Sequence, residues 1–243
     1  MYANRKFAKT RAVLFDLGNT LVRYYCRDEF PRILRECLRS AAEVVQYKTG
    51  DFEGLFRKAL ELNHEADNFA VRLLEDRILN LFPTCDRKDA IAMGRVCGAF
   101  MAPIFSCARI ETDAHRVLDE LRGRGFRTAI VSNTPWGSSA ELWLEELRRH
   151  ALLERLDAVA FCVDVGWRKP HPAPFLCALK KLAIEPSDAV FVGDDPRWDV
   201  EGALRAGIRP ILISADPAEK HGCTNIARLA SLLDPDVLAA RSH

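Results

Sequence analysis

The chain has 243 residues, 49% of them apolar and 28% charged, enough to bury a sizeable core in one α/β domain with an insertion or in two small domains. Its formal net charge is +1 with acids and bases interspersed, so no polyanion surface and no nucleic-acid partner is expected. No apolar run is long enough to span a bilayer, and the basic Met1-Tyr2-Ala3-Asn4-Arg5-Lys6 lacks the apolar core that a signal peptide needs, so neither export nor membrane insertion is expected.

Ala12-Val13-Leu14-Phe15 reads as a short buried strand that delivers Asp16 into the tight turn Leu17-Gly18-Asn19-Thr20. Open α/β sheets place their ligand sites at the carboxyl ends of strands, which makes Asp16 the leading catalytic candidate. From Arg23 to Cys107 the pattern predicts no strand. Apolar residues recur there at helical spacing in Ile33 to Ala41, Leu55 to Leu60, Val71 to Leu81 and Ile91 to Phe100, which predicts four helices. Thr49-Gly50-Asp51 and Phe82-Pro83-Thr84-Cys85-Asp86 break the run, with Asp86 as the expected N-cap of the last helix.

From Thr112 onward helices and strands alternate. Ala114 to Arg122 is amphipathic and stops at Gly123 or Gly125. Thr128 to Val131 is a second strand, ending in Ser132-Asn133-Thr134. Ser138 to His150 is read as helix, Ala158 to Cys162 as strand, Ala173 to Leu182 as helix and Ala189 to Val192 as strand. Val200 to Ala206 is read as helix, Ile208 to Ile213 as a last strand, and Ile226 to Leu233 as a final helix before a frayed tail. Such alternation implies a parallel sheet with helices on both faces. In the loops, Lys169 precedes Pro170-His171-Pro172, a segment that cannot continue a helix, and the strand at Ala189 runs into Gly193-Asp194-Asp195-Pro196-Arg197-Trp198-Asp199. The eight cysteines, among them Cys37, Cys97 and Cys162, form no C-x-x-C pair, which argues against a zinc or thioredoxin-like site and for a reducing, cytoplasmic setting.

Asp16, Ser132, Lys169 and the Asp194/Asp199 pair, in this order and three of them in strand contexts, resemble the motifs of the haloacid dehalogenase-like hydrolase superfamily from about residue 10 to about residue 215. The resemblance implies a Rossmann-like α/β core formed by residues 1–22 and 108–243, with a helical C1-type cap inserted at 23–107. It implies a phosphatase of a small phosphorylated metabolite, working as a monomer or homodimer with Mg²⁺. Asp16 would be the nucleophile of an aspartyl-phosphate intermediate. Asp16, Asp194 and the Gly18 carbonyl would hold the metal, with Asp195 or Asp199 supporting it from behind. Ser132, Asn133 and Lys169 would bind the phosphoryl oxygens. At position 18 the chain departs from the pattern, because most phosphatases of this superfamily carry a second Asp there as general acid and base. That help is typically worth about 10²–10⁴-fold, so slow turnover or another proton route is expected.

Two other functions compete. A dehalogenase would use the same aspartate on carbon without a metal, although the acidic Gly193-Asp194-Asp195 turn suits a cation better than an unescorted anionic substrate. A catalytically impaired descendant would only bind a ligand, since fold does not establish function. Taken singly, Lys169 and Ser132 could be a surface residue and a strand end, His171 a loop residue, and Asn19 and Thr20 turn formers. Arg23, Tyr24, Tyr25 and Trp136 are placed equally well in a cavity wall or in hinge and core packing.

Overall fold

The computed structural model describes residues 10–48, 50–64, 66–214 and 223–239, so Met1 to Lys6 and Thr49 lie outside the described residues. In chain order the first elements are strands β1 (Ala12–Phe15) and β2 (Val22–Arg23), followed by helices α1 (Phe30–Val44), α2 (Phe52–Leu62), α3 (Leu74–Leu81) and α4 (Ala90–Ser106). Next come β3 (Arg109–Ile110), α5 (Ala114–Gly123), β4 (Arg127–Ser132), α6 (Ala140–Arg149), β5 (Ala158–Phe161), α7 (Cys162–Val165) and α8 (Ala173–Leu182). The last described elements are β6 (Ala189–Gly193), α9 (Glu201–Arg205), β7 (Arg209–Ile213), β8 (Thr224–Ile226) and α10 (Pro235–Ala239).

Six strands form one parallel sheet in the order β5-β4-β1-β6-β7-β8, the α/β architecture expected from the sequence. Strand β1 reads as an unbroken apolar run because both of its faces are covered. Val13 and Phe15 belong to the core that includes Val117, Leu118 and Leu121 of α5. Ala12 and Leu14 belong to the opposite core, with Phe175 and Leu179 of α8 and Ala203 of α9. Phe15 is fully buried, and removing such a ring typically costs about 3–5 kcal/mol. The register pairs Phe15 with both Ile130 and Val192. That alignment brings the residues after β1, β4 and β6 to one carboxyl edge, and Asp16 N–H extends the ladder by donating to Val192 O at 2.9 Å.

Helices α1 to α4 lie between β2 and β3. These two short strands pair antiparallel, Val22 with Ile110 and Arg23 with Arg109. The ribbon ties the two ends of the helical insertion together, reinforced by Glu111 N–H on Leu21 O and by the Arg23–Glu111 ion pair. It was absent from the sequence pattern, because two residues are too few to show a period of two. Ile33, Leu34, Cys37, Leu38 and Ala41 of α1 and Met93, Val96, Cys97 and Phe100 of α4 pack in the insertion, continuous with the core that holds Val13 and Phe15.

Several expectations are corrected. Ile91, expected on the buried face of the fourth helix, is 73% exposed because that face begins a half-turn later at Met93. Asp86 does not cap this helix: its carboxylate accepts from Lys88 N–H in a turn, and Asp89 caps α4 by accepting from Ala92 N–H at 2.9 Å. The segment through Val71 and Leu73 is extended, and α3 begins at Leu74. Cys162 starts α7 instead of ending β5. Ile226 ends strand β8, a parallel neighbour of β7, and the chain then forms a 3-10 turn (Leu229–Leu233) and α10 rather than one helix from Ile226 to Leu233; the tail after Ala239 lies outside the described residues. Helix α9 is preceded by a π-helical turn, Pro196–Val200. Among the described residues no helix is long and apolar enough to cross a membrane.

Candidate active site

Asp16 leaves β1 into a loop closed by the chain itself: Leu17 O accepts from both Leu21 and Val22 N–H at 3.0 Å, and Asn19 N–H donates to Val22 O at 2.8 Å. Asn19 takes the left-handed conformation that this turn demands, with φ 55°. Gly18 does not need it, and a Cβ placed on Gly18 would meet nothing within 4 Å. The space next to the Gly18 backbone is therefore open rather than filled by a neighbour.

Lys169 is 2% exposed and its ammonium donates to Asp16 Oδ1 at 2.5 Å and to Asp199 Oδ1 at 2.7 Å. Burial works against the Lys169 charge, but Asp16 and Asp199 outweigh it and hold the ammonium above its usual range. The second oxygen of Asp199 accepts from Asp194 and Asp195 N–H, both at 3.1 Å. Burial pushes the Asp199 carboxyl upward, while these donors and the Lys169 ammonium favour its ionised form. Asp194 is pushed up to about 6 by burial and by the nearby Asp16 carboxylate, against the pull of Lys169 and a hydrogen bond from Asn19. Of the two candidates for supporting a metal from behind, Asp199 joins this cluster and Asp195 does not. Asp195 caps the π-helical turn, its Oδ1 accepting from Arg197 and Trp198 N–H at 2.8 Å. A Cβ on Gly193 would overlap the Asp199 carboxylate, so glycine is required for this close approach.

Asp16, Asp194 and Asp199 each bring a carboxylate oxygen within 4.8 Å of the others. Three carboxylates share one buried ammonium, which leaves excess negative charge and hard oxygen donors, the surroundings a divalent cation takes. Both oxygens of Asp199 are already engaged, so Asp16 and Asp194, with Gly18 beside them, are the groups left to meet such an ion.

Ser132 ends β4 and Asn133 comes directly after it. Among the described residues the hydroxyl of Ser132 makes only a long 3.5 Å contact to Asn133 O, which leaves it available to a ligand oxygen. The side chain of Asn133 is taken up by the backbone of Lys169, accepting from its N–H at 2.8 Å and donating to its carbonyl at 3.3 Å. It therefore positions the lysine. These residues line a cavity of about 230 Å³ together with Asp16, Gly18, Lys169, Asp194 and Asp199.

The remaining walls include Tyr24, Trp143, Arg168 and Trp198. Arg168, Trp143 and Trp198 carry no local signature of a site in the sequence, being a charge in a proline-rich loop, an aromatic at helix spacing and an aromatic in the acidic turn. Tyr24 stacks edge-on against Trp143 at 5.7 Å, its hydroxyl is buried without a hydrogen-bond partner among the described residues, and burial with the charges of Glu146 and Asp16 keeps the phenol neutral. Tyr25 and Trp136 pack elsewhere, against Phe30 and Phe100, and His171 stacks on Trp167. Thr20 is buried in the turn after Asp16.

Residues 10–207 match the family model described as haloacid dehalogenase-like hydrolase. The chain is 30% identical over 231 residues, 90% of each chain, to a ribulose-1,5-bisphosphate 5-phosphatase of Halopiger xanaduensis. It is 28% identical over 203 residues to a glyceraldehyde 3-phosphate phosphatase of Methanopyrus kandleri, covering 84% of this chain and 83% of the relative. Among solved structures it superposes on a 2-haloacid dehalogenase of Pseudomonas syringae with a TM-score of 0.67 at 25% identity, over 95% of this chain and 98% of the other. It also superposes on a HAD phosphatase of Thermococcus onnurineus with a TM-score of 0.65 at 21% identity, over 96% of this chain and all of the other, a likeness of fold.

Proposed function

Because the chain belongs to the haloacid dehalogenase-like hydrolases, we propose that it is a Mg²⁺-dependent phosphatase of a small phosphorylated metabolite, acting through an aspartyl-phosphate on Asp16. The observation that carries this reading is the buried Lys169 ammonium clamped between Asp16 and Asp199, beside Asp194 and the available Ser132 hydroxyl. Two relatives aligned over most of the chain are named as phosphatases of sugar phosphates.

In this reading Lys169 aims Asp16 Oδ1 and leaves the other carboxylate oxygen to attack phosphorus. The Asp16 oxygen–phosphorus bond forms as the bond to the leaving oxygen breaks, and water then attacks phosphorus to release inorganic phosphate and restore Asp16. Ser132 and Lys169 meet the phosphoryl oxygens, and Asn133 keeps the lysine in place. Mg²⁺ bound by Asp16, Asp194 and the Gly18 carbonyl would offset the phosphoryl charge. Gly18 brings no acid to the leaving oxygen, so substrates whose leaving groups need no proton should react best. Residues 23–107 act as a cap over the site and residues 1–22 and 108–243 as the core, with Tyr24 at the boundary between them. The eight cysteines are all free thiols, in keeping with a cytoplasmic location for a monomer or homodimer.

The test is phosphate release from aryl phosphate and small sugar phosphates with Mg²⁺ or EDTA, alongside halide release from a 2-chloro acid. Phosphate release that needs Mg²⁺ and vanishes in Asp16→Asn is expected. Metal-independent halide release without phosphatase activity would replace this reading by dehalogenation, and silence in both assays would favour a ligand-binding role.

A further inference from the structure

One extended stretch of the helical insertion is built into the loops that carry the site. Between α2 and α3, Val71 N–H donates to Gly166 O at 2.9 Å and Phe69 O accepts from Arg168 N–H at 2.8 Å. Ala70 and Trp167 are thereby antiparallel bridge partners of the narrow, non-hydrogen-bonded kind. Lys169 lies two residues beyond this bridge on the sheet side. Two further contacts of the same stretch reach the other catalytic loops. The ring of Phe69 meets Trp198 edge-on at 6.1 Å, within the π-helical turn that holds Asp199. The carbonyl of Arg72 presses against Gly137 just past Asn133, so closely that a Cβ there would overlap it, and Gly137 sits at φ 65°.

We propose that residues 69–72 are a positioning segment for the reaction, and that docking of the helical insertion seats Lys169. The backbone of Lys169 is gripped by Asn133, Arg168 Nη1 donates to Thr134 O at 3.0 Å, and residues 69–72 close over this assembly from the insertion side. With the bridge made, the chain leading into Lys169 has one path, and its ammonium falls between Asp16 and Asp199. With the bridge broken, Gly166–Arg168 loses two backbone partners and the lysine loses its fixed approach. Reacting groups that must be placed to a fraction of an ångström are sensitive to such slack: a 1 Å misplacement can cost about 10²-fold in rate.

This inference rests on the phosphatase reading for its kinetic arm but not for its structural arm. Val71→Pro removes the N–H that bonds Gly166 while leaving the sheet untouched, and Phe69→Ala removes the contact to Trp198 in case the proline disturbs the insertion. Hydrogen exchange of residues 166–169 is followed in both variants and in wild type, with and without Mg²⁺ plus orthovanadate, and kcat and KM are measured with an aryl phosphate. Faster exchange at 166–169 with a fall in kcat of about tenfold or more, exceeding any change in KM, is expected. Unchanged exchange at 166–169 in both variants would overturn the coupling whatever the activity. Faster exchange with wild-type kcat would show that the bridge exists but does not seat the lysine, which also overturns it. A wild type inactive toward the aryl phosphate would instead sink the phosphatase reading, leaving the exchange result to decide the coupling.

Discussion

Gly18 is the residue at which chemistry and space part company. Its backbone lies outside the left-handed region and nothing stands within 4 Å of a Cβ placed on it, so neither backbone strain nor a Cβ clash opposes Gly18→Asp. The expected outcome is a gain in kcat of about 10-fold or more on a poor leaving group such as an alkyl phosphate, and a smaller gain on an activated aryl phosphate, because general acid help is worth about 10²–10⁴-fold where the leaving oxygen needs a proton. Asp194 makes a second prediction. Its carboxyl is raised to about 6 in the fold, chiefly by burial, so between its unfolded value and about 6 the folded chain binds the proton more tightly. The contribution of Asp194 to the stability of the metal-free protein therefore grows as pH falls through that window and is lost as pH rises through it, until above about 6 the buried charge is unrelieved. Mg²⁺ relieves that charge only when Asp194 is ionised, so the rise in melting temperature on adding Mg²⁺ should be larger at about pH 7.5 than at about pH 5, as a thermal-shift titration would measure. At this scale the sequence showed which residues carry carboxylates and the ammonium, but not which of two neighbouring aspartates turns inward. Asp195 and Asp199 differ in what the π-helical turn does with them, and a π turn leaves no periodic mark in sequence.

The elements whose apolar pattern runs several turns or a whole buried strand were legible. Strand β1, helix α8 and the four helices of the insertion arise from burial on faces that the sequence displays openly. Short elements were not, since β2, β3 and β8 hold two or three residues and exist because a neighbouring strand offers an unpaired edge. The start of α4 shows how local chemistry decides a boundary. Asp86 and Asp89 are both plausible caps by composition, yet Asp89 reaches the third N–H of the helix and Asp86 folds back on its own turn. Asp89→Ala should cost about 1 kcal/mol of stability in a denaturant melt, and Asp86→Ala less than that.

In the whole molecule, one parallel register gathers the ends of β1, β4 and β6, and one antiparallel ribbon roots the helical insertion beside them. The first could be anticipated from alternating helices and strands; the second, and the bridge from Ala70 to Trp167, could not, because they join stretches far apart in the chain without a local pattern. Arg168, Trp143 and Trp198 come to the cavity by the same long-range folding. The reading of this molecule as a phosphatase stands or falls on covalent transfer to Asp16. The direct measurement is rapid acid quench during turnover of an aryl phosphate, with peptide mass spectrometry of the quenched protein. A hydroxylamine-labile phosphate on the peptide holding Asp16, formed with Mg²⁺, lost with EDTA and absent in Asp16→Asn, is the expected result. Phosphate release with no adduct on Asp16, or release undiminished in Asp16→Asn, would contradict it.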